Sequence, residues 1–206
     1  MLLLRDILDT PDATKGIWVK HNYHDIIRAQ YDSVLVAGSR EIFNLSEEYQ
    51  FPLASRQKVR FCGYLRRKPG HRSREVVRSD LGVSSEKLIL VTPGGGEDGH
   101  HLLTCYLDGL QTTPREHIPK TVIFFGPELS TAQRLDVLER AQYHANVSIK
   151  EFTDDMMSYM AAADLVVSMA GYNTVCEILT LRKPAIPVPR VKPVQEQWIR
   201  ATGWRS

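Results

Sequence analysis

The chain has 206 residues, 43% of them hydrophobic and 24% charged, a balance that excludes intrinsic disorder and allows one large domain or parts of two. Its 26 basic and 24 acidic residues leave a formal net charge of +2 and are mixed along the sequence, which excludes a nucleic-acid-binding stripe. No segment approaches the roughly 18 apolar residues of a membrane span, and the opening MLLLRDILD is too short for a signal peptide.

Residues 2–4 read as a short strand, and Thr10-Pro11-Asp12 opens a helical stretch running to about Gln30, with proline in its first turn. Ser33 to Gly38 (SVLVAG) is a buried strand closed by glycine, and Val59-Arg60-Phe61-Cys62 is a further short strand. The run from Arg56 to Arg78 carries nine basic residues and one acid, Glu75. With Pro69 and Gly70 and no apolar period it reads as a solvated linker, an anion-facing surface being the alternative. Beyond it, strands are expected at 87–92, 120–125, 147–150, 164–168 and 185–188. Helices are expected at about 98–111, 130–144, 154–162, 171–181 and 194–201. Alternating β and α elements at this spacing imply an α/β fold with a doubly wound, Rossmann-like parallel sheet covered on both faces. The pattern starts inside one α/β unit and stops within a last helix, as a piece of a longer protein would. Cys62, Cys105 and Cys176 have no CxxC or Cys/His ligand spacing, so the expectation is reduced, buried thiols in a cytoplasmic protein with no structural metal.

In such a sheet, ligands bind beyond the C-terminal strand ends. The first loop there, Thr92-Pro93-Gly94-Gly95-Gly96-Glu97-Asp98-Gly99, combines close backbone approach with a helix N-terminus, which suits a phosphate or diphosphate. It lacks the lysine of a P-loop and is not GxGxxG, which weighs against a redox dinucleotide domain. The next strand ends at Phe125-Gly126-Pro127, placing backbone at the same edge. Thr153 or Asp154 supplies an N-cap for the helix from Met156, capping accounts for Asp154 and Asp155, and Phe152 is placed to wall a base pocket. In the last loop, Ser168 to Glu177 (SMAGYNTVCE), small residues surround Gly171, and Glu177 lies one to two turns inside the following helix. A carboxylate there can accept hydrogen bonds from a vicinal diol such as a ribose.

Three stretches in this order and spacing, "TPGGGEDGHH", "EFTDDMMSYMAAADLVVSMAGYNTVCEILTLRKPAIPVPR" and "PVQEQWIRA", resemble the C-terminal, donor-binding domain of the MurG-like GT-B glycosyltransferases of family 28. The likeness covers roughly residues 59–201. "LRDILDTPD" and "YDSVLVAGSREIFNLSEEY" resemble the end of the N-terminal domain of predicted glycosyltransferases in that superfamily. The resemblance implies an acceptor-domain part over 1–63, a linker over 64–75 and a donor-binding domain over 76–206. It implies that Gly94, Gly95, Gly96, Glu97 and Asp98 hold the donor diphosphate with Gly126 at the same edge, and that Arg67 lies near the phosphates. Phe152 and Met156 would border the base, Gly171, Tyr172, Asn173 and Thr174 would approach ribose and phosphates, Glu177 would take the ribose hydroxyls, and Glu196 and Gln197 would grip the sugar. Gly96-Glu97 and Tyr172-Asn173 depart from the relatives' residues.

The implied activity is inverting, metal-independent transfer of a hexose from a nucleotide-diphosphate donor, UDP-sugar first, to an acceptor hydroxyl, with no cofactor. The acceptor is a lipid, glycan or small molecule, and peripheral contact at the inner face of the membrane is implied through the N-terminal domain. The general base belongs to that domain and is unassigned; Asp6 is the candidate this chain offers. A non-catalytic donor-binding subunit and a GT-B nucleotide-sugar epimerase are the alternatives. His100 and His101 read as partly exposed helical residues. The chain alone is expected to bind nucleotide without turnover.

Overall fold

A computed structural model describes residues 1–95 and 98–203. In chain order it contains β1 (Leu2–Arg5), α1 (Pro11–Lys20), α2 (Tyr23–Gln30), β2 (Val34–Ala37), α3 (Leu45–Glu48), α4 (Leu53–Arg56), β3 (Val59–Phe61), α5 (Arg74–Asp80), β4 (Leu88–Thr92), α6 (Gly99–Gln111), β5 (Lys120–Phe124), α7 (Thr131–Ala141), β6 (Val147–Lys150), α8 (Met156–Ala162), β7 (Leu165–Ser168), α9 (Tyr172–Leu181), β8 (Ala185–Pro187) and α10 (Glu196–Gly203). These divide into two compact units, one of Met1–Arg66 with the segment from Arg190 onward, the other of Arg67–Pro189.

The first unit is built on a parallel sheet of order β1-β2-β3. Its buried centre comprises Ile7, Trp18, Ile27, Val34, Val36, Phe43, Leu45, Tyr49 and Phe51. The single helix expected to run to Gln30 is two helices: Asn22 adopts a left-handed conformation, φ 54°, which asparagine tolerates but an α-helical ladder cannot run through. Ile199 of α10 packs against this same core, and Arg200 is buried with its Nη2 donating to Asp6 Oδ1 at 3.1 Å. The compact units part at Arg66/Arg67, inside the expected linker range 64–75, and α10 is grouped with the first unit, apart from 67–189. Its apolar and charged groups find their partners there.

The second unit is a five-stranded parallel sheet of order β6-β5-β4-β7-β8. Strand alternation divides its core between two faces. Leu88, Leu90, Val122, Phe124 and Val166 pack with Val77, Tyr159, Met160 and Ile178 of α5, α8 and α9. Val91, Ile123 and Val167 pack with Leu102, Leu103, Leu107 and Val137 of α6 and α7. From β4 the chain moves outward to β5 and β6, then returns to place β7 on the other side of β4. The topological switch point, where doubly wound sheets bind ligands, thus lies between the ends of β4 and β7.

From Arg67 onward, the basic run expected to be a solvated linker is a clamp along the second unit, while its earlier part, Arg56 to Arg66, belongs to the first. Arg67 N–H donates to Thr180 Oγ1, His71 N–H to Asp155 Oδ1 and Arg72 N–H to Ser158 Oγ. A Cβ on Gly70 would stand 2.2 Å from Ser158 Oγ and 2.4 Å from its backbone nitrogen, so only glycine fits. Arg72 pairs with Asp155 and Asp80 and lies over the Tyr159 ring. Arg74 donates to the carbonyls of Ala161, Ala162 and Ala163 and pairs with Asp164, which Arg78 also reaches. Cations here meet the orphan carbonyls and negative dipole end of α8.

Candidate functional site

Three loops meet at the switch point of the second unit. Gly94, after β4, has φ +76°, a conformation that suits glycine and strains other residues. A Cβ on Gly126, after β5, would come within 2.8 Å of Gly94 O. One on Gly99, at the start of α6, would come within 2.6 Å of Pro93 Cβ. At Gly94 itself an added Cβ would be 3.5 Å from Thr174 Oγ1 in the first turn of α9. The loops after β4 and β5 are therefore packed backbone on backbone, the start of α6 lies against Pro93, and the start of α9 touches the first loop through Thr174.

Both helices open without a side-chain cap: Asp98 before α6 and Gly171 before α9 make no cap hydrogen bond through a side chain. First-turn N–H groups have no intrahelical partner, and with the helix dipole they favour an anion. Such a loop and two such helix starts can bind a diphosphate. Gly96 and Glu97, expected to take part, lie outside the described residues; Gly95 is exposed beside them.

Glu177 lies between one and two turns into α9 and is half-buried. Burial pushes its carboxyl above the ordinary carboxylate range, and the charge of Arg67 offsets part of that rise. Arg67 reaches this place because its N–H is held by Thr180 Oγ1 at 3.1 Å, while its Nη2 donates to Asn173 Oδ1 at 2.6 Å. Arg67, Asn173, Thr174 and Glu177 are thus brought together at the start of α9. The anchor on Thr180 was missed by sequence reasoning, since a threonine in the last turn of a helix carries no local signal for a partner 113 residues away.

The other expected site residues of the second unit differ in exposure and partners. Phe152 is 75% exposed, whereas Met156 faces inward from α8 against the core. Tyr172 is buried. The cap of α8 is Asp155, not Thr153 or Asp154, and its carboxylate receives His71 and Arg72 instead of capping the helix. Burial tends to raise the Asp155 pKa, but these partners and Ser158 outweigh it and hold the group low. His100 is half-buried on Asp136 Oδ2 at 2.6 Å, and Asp136 also receives Arg140.

Three expected residues belong to the first unit. Asp6 has no exposed surface; its oxygens accept from Ile7 N–H, Arg200 and Tyr64 OH at 2.8, 3.1 and 2.7 Å. A carboxylate so committed is an internal anchor rather than a base open to an acceptor. Gln197 is buried with Oε1 accepting from Arg190 N–H at 3.1 Å, and Glu196 lies 3.7 Å from Arg200.

Comparison with known proteins gives this geometry a context. Residues 88–198 match the family model "Glycosyltransferase family 28 C-terminal domain". A UDP-N-acetylglucosamine--N-acetylmuramyl-(pentapeptide) pyrophosphoryl-undecaprenol N-acetylglucosamine transferase of Fusobacterium nucleatum is 32% identical over 115 residues, 54% of this chain and 30% of the relative. The enzyme of that name from Haemophilus ducreyi is 43% identical over 67 residues, 32% of this chain and 18% of the relative. The chain thus spans less than a third of these curated relatives. Among solved structures, Acinetobacter baumannii MurG aligns with a TM-score of 0.55 at 19% identity, over 94% of this chain and 60% of that one. Anabaena Alr3699/HepE, solved in complex with UDP, aligns with a TM-score of 0.58 at 14% identity, over 90% and 52%. These likenesses agree with the doubly wound parallel sheet, and because the family model spans more than half of the sequence, the chain belongs to glycosyltransferase family 28, whose C-terminal domain it carries.

Proposed function

We propose that the unit Arg67–Pro189 binds a nucleotide-diphosphate sugar, UDP-sugar foremost, and that the protein transfers the sugar to an acceptor hydroxyl. The observation that carries this reading is a half-buried carboxylate, Glu177, on the same helix start that packs against the glycine loop. That juxtaposition offers a ribose acceptor and a diphosphate cradle a few ångströms apart. UDP as the base-bearing part is supported by the fold neighbour solved with UDP. In this reading Gly94, Gly95 and Asp98 at the loop, with Gly96 and Glu97 beside them, meet the diphosphate; Gly126, Gly171, Asn173 and Thr174 line its approach; and exposed Phe152 is free to lie on the base.

The transfer is inverting: the acceptor oxygen attacks the anomeric carbon opposite the diphosphate, the carbon–oxygen bond to phosphate breaks, and the nucleoside diphosphate leaves with the electron pair. Helix-start N–H groups and Arg67 stabilise that developing charge, an instance of preorganised electrostatics that supplies the role a metal would otherwise take. The acceptor's proton passes to a base outside this unit. The curated relatives are named for a pyrophosphoryl-undecaprenol acceptor, which favours a lipid-linked acceptor at the inner face of a membrane. Donor binding is the part of this activity assigned to the unit Arg67–Pro189, and the chain spans less than a third of these relatives.

Calorimetric titration with UDP, UDP-N-acetylglucosamine, GDP and NAD tests the reading. UDP and its sugar bind, NAD does not, and Glu177→Ala weakens UDP by about 1–3 kcal/mol, the cost of a lost charged hydrogen-bond partner. A folded chain that ignores UDP, or a Glu177→Ala variant of unchanged affinity, would overturn it.

A further inference from the structure

Asn173, Glu177 and Thr180 follow one another at helical spacings of four and three on α9, so they share one face. Arg67 lies along that stripe. Its backbone N–H is fixed to Thr180 Oγ1, which in turn donates to Cys176 O at 2.7 Å, and its guanidinium is drawn about two turns toward the helix start by Asn173 Oδ1 at 2.6 Å. The Nε of Arg67 is buried without a hydrogen-bond partner. Between the two ends of this arginine stands Glu177, whose carboxylate feels its charge but shares no hydrogen bond with it.

This arrangement is unusual for opposite charges so placed. An arginine tethered at its backbone and facing a half-buried carboxylate should collapse onto it, since a bidentate pair is the stronger contact. A neutral amide takes the guanidinium instead. The consequence is two groups kept apart that would otherwise cancel: a cation directed to the helix start and a carboxylate with its oxygens still available.

We propose that Asn173 is a positioning residue that holds Arg67 off Glu177, reserving the guanidinium for the diphosphate and the carboxylate for the ribose. This rests on the donor-site reading above and adds to it a specific division of labour between neighbouring side chains. Without Asn173 the guanidinium swings down, pairs with Glu177, and removes both contacts together. Asn173 is exposed, so its truncation leaves the fold intact.

Four proteins, the wild type, Asn173→Ala, Arg67→Ala and the double variant, are compared in two measurements. In the first, the Glu177 carboxyl is titrated by carbon NMR without ligand. Its midpoint falls in Asn173→Ala and returns upward when Arg67→Ala is added; an unchanged midpoint in Asn173→Ala overturns the positioning role. In the second, UDP and uridine are titrated. Asn173→Ala loses about tenfold in UDP affinity and weakens uridine as well. Adding Arg67→Ala costs UDP nothing further and restores uridine, an outcome that mere loss of structure would not give. Effects of the two substitutions that multiply, or uridine binding that stays weak in the double variant, overturn the proposal. A wild type that binds neither ligand while the NMR midpoint moves as expected overturns the donor site alone and leaves the side-chain arrangement standing.

Discussion

Glu177 illustrates how a half-buried carboxylate is kept at some expense to the fold. Burial raises its pKa above the unfolded value of a carboxylic acid, with Arg67 opposing. Between the unfolded and folded pKa values the native state holds the proton more tightly, so stability falls as pH rises through that window and stays lower above it. Replacing the ionisable group with an isosteric amide removes the penalty. Glu177→Gln is therefore expected to raise Tm at neutral pH by roughly 1–4 °C, with a flatter dependence of Tm on pH above 4.5, while weakening UDP. Thermal melts of both proteins from pH 4 to 8 check this, and a lower Tm for the variant would sink it. The place of Glu177 on α9 was legible in the sequence because a helix start marked by the small residues around Gly171 precedes it at a fixed distance. Asp6 was not: a carboxylate at a strand end looks alike in sequence whether it faces a ligand or an internal arginine, and its arginine lies 194 residues away.

Among the elements, the end of α8 shows what the basic segment accomplishes. Asp164 accepts from Leu88 N–H at 2.9 Å, ties α5 to β4, and receives Arg74 and Arg78. Burial pushes its carboxyl up, but the Leu88 N–H and the two arginines outweigh this and hold the pKa down to about 2. A depressed folded pKa contributes stability that is present above the unfolded value and is lost as pH falls from 3.8 toward 2. By that linkage Asp164→Asn costs about 2 kcal/mol at neutral pH, measurable by urea unfolding, and the difference from wild type closes toward pH 2. A cost under half of that at neutral pH would contradict the assignment. Strands and helices of the second unit were legible because each buried strand is a continuous apolar run between turn residues. The clamp was hidden, since charge with proline and glycine also describes a solvated linker, and what distinguishes them is hydrogen bonding to Thr180, Asp155 and Ser158, far along the chain. The break at Asn22 was hidden for the opposite reason, an apolar period that continues across it.

For the molecule as a whole, the notable contact is that of Asp6 with Arg200, both without exposed surface. Breaking a buried pair from one side leaves an uncompensated charge, which typically costs 3–5 kcal/mol, whereas replacing both members with apolar groups is often tolerated. Arg200→Met is expected to fall in that range by urea unfolding of the full chain. Adding Asp6→Leu should recover at least half of the loss; a double variant less stable than Arg200→Met would refute the account. The family and its C-terminal domain were readable from motif order alone. That α10 is grouped with the opening segment was not, because its apolar face specifies burial without saying against what.

That grouping also sets an order of events during synthesis. Arg67–Pro189 is continuous in sequence, so everything its sheet requires has been polymerised before Arg190 is added. The opening unit has to wait: at about 5–20 residues per second, the 194 residues between Asp6 and its arginine take roughly 10–40 s to make. Throughout that interval the nascent chain carries an acidic side chain with no counter-ion and a hydrophobic surface not yet covered by Ile199, so the unit begun earlier is completed after the one begun later.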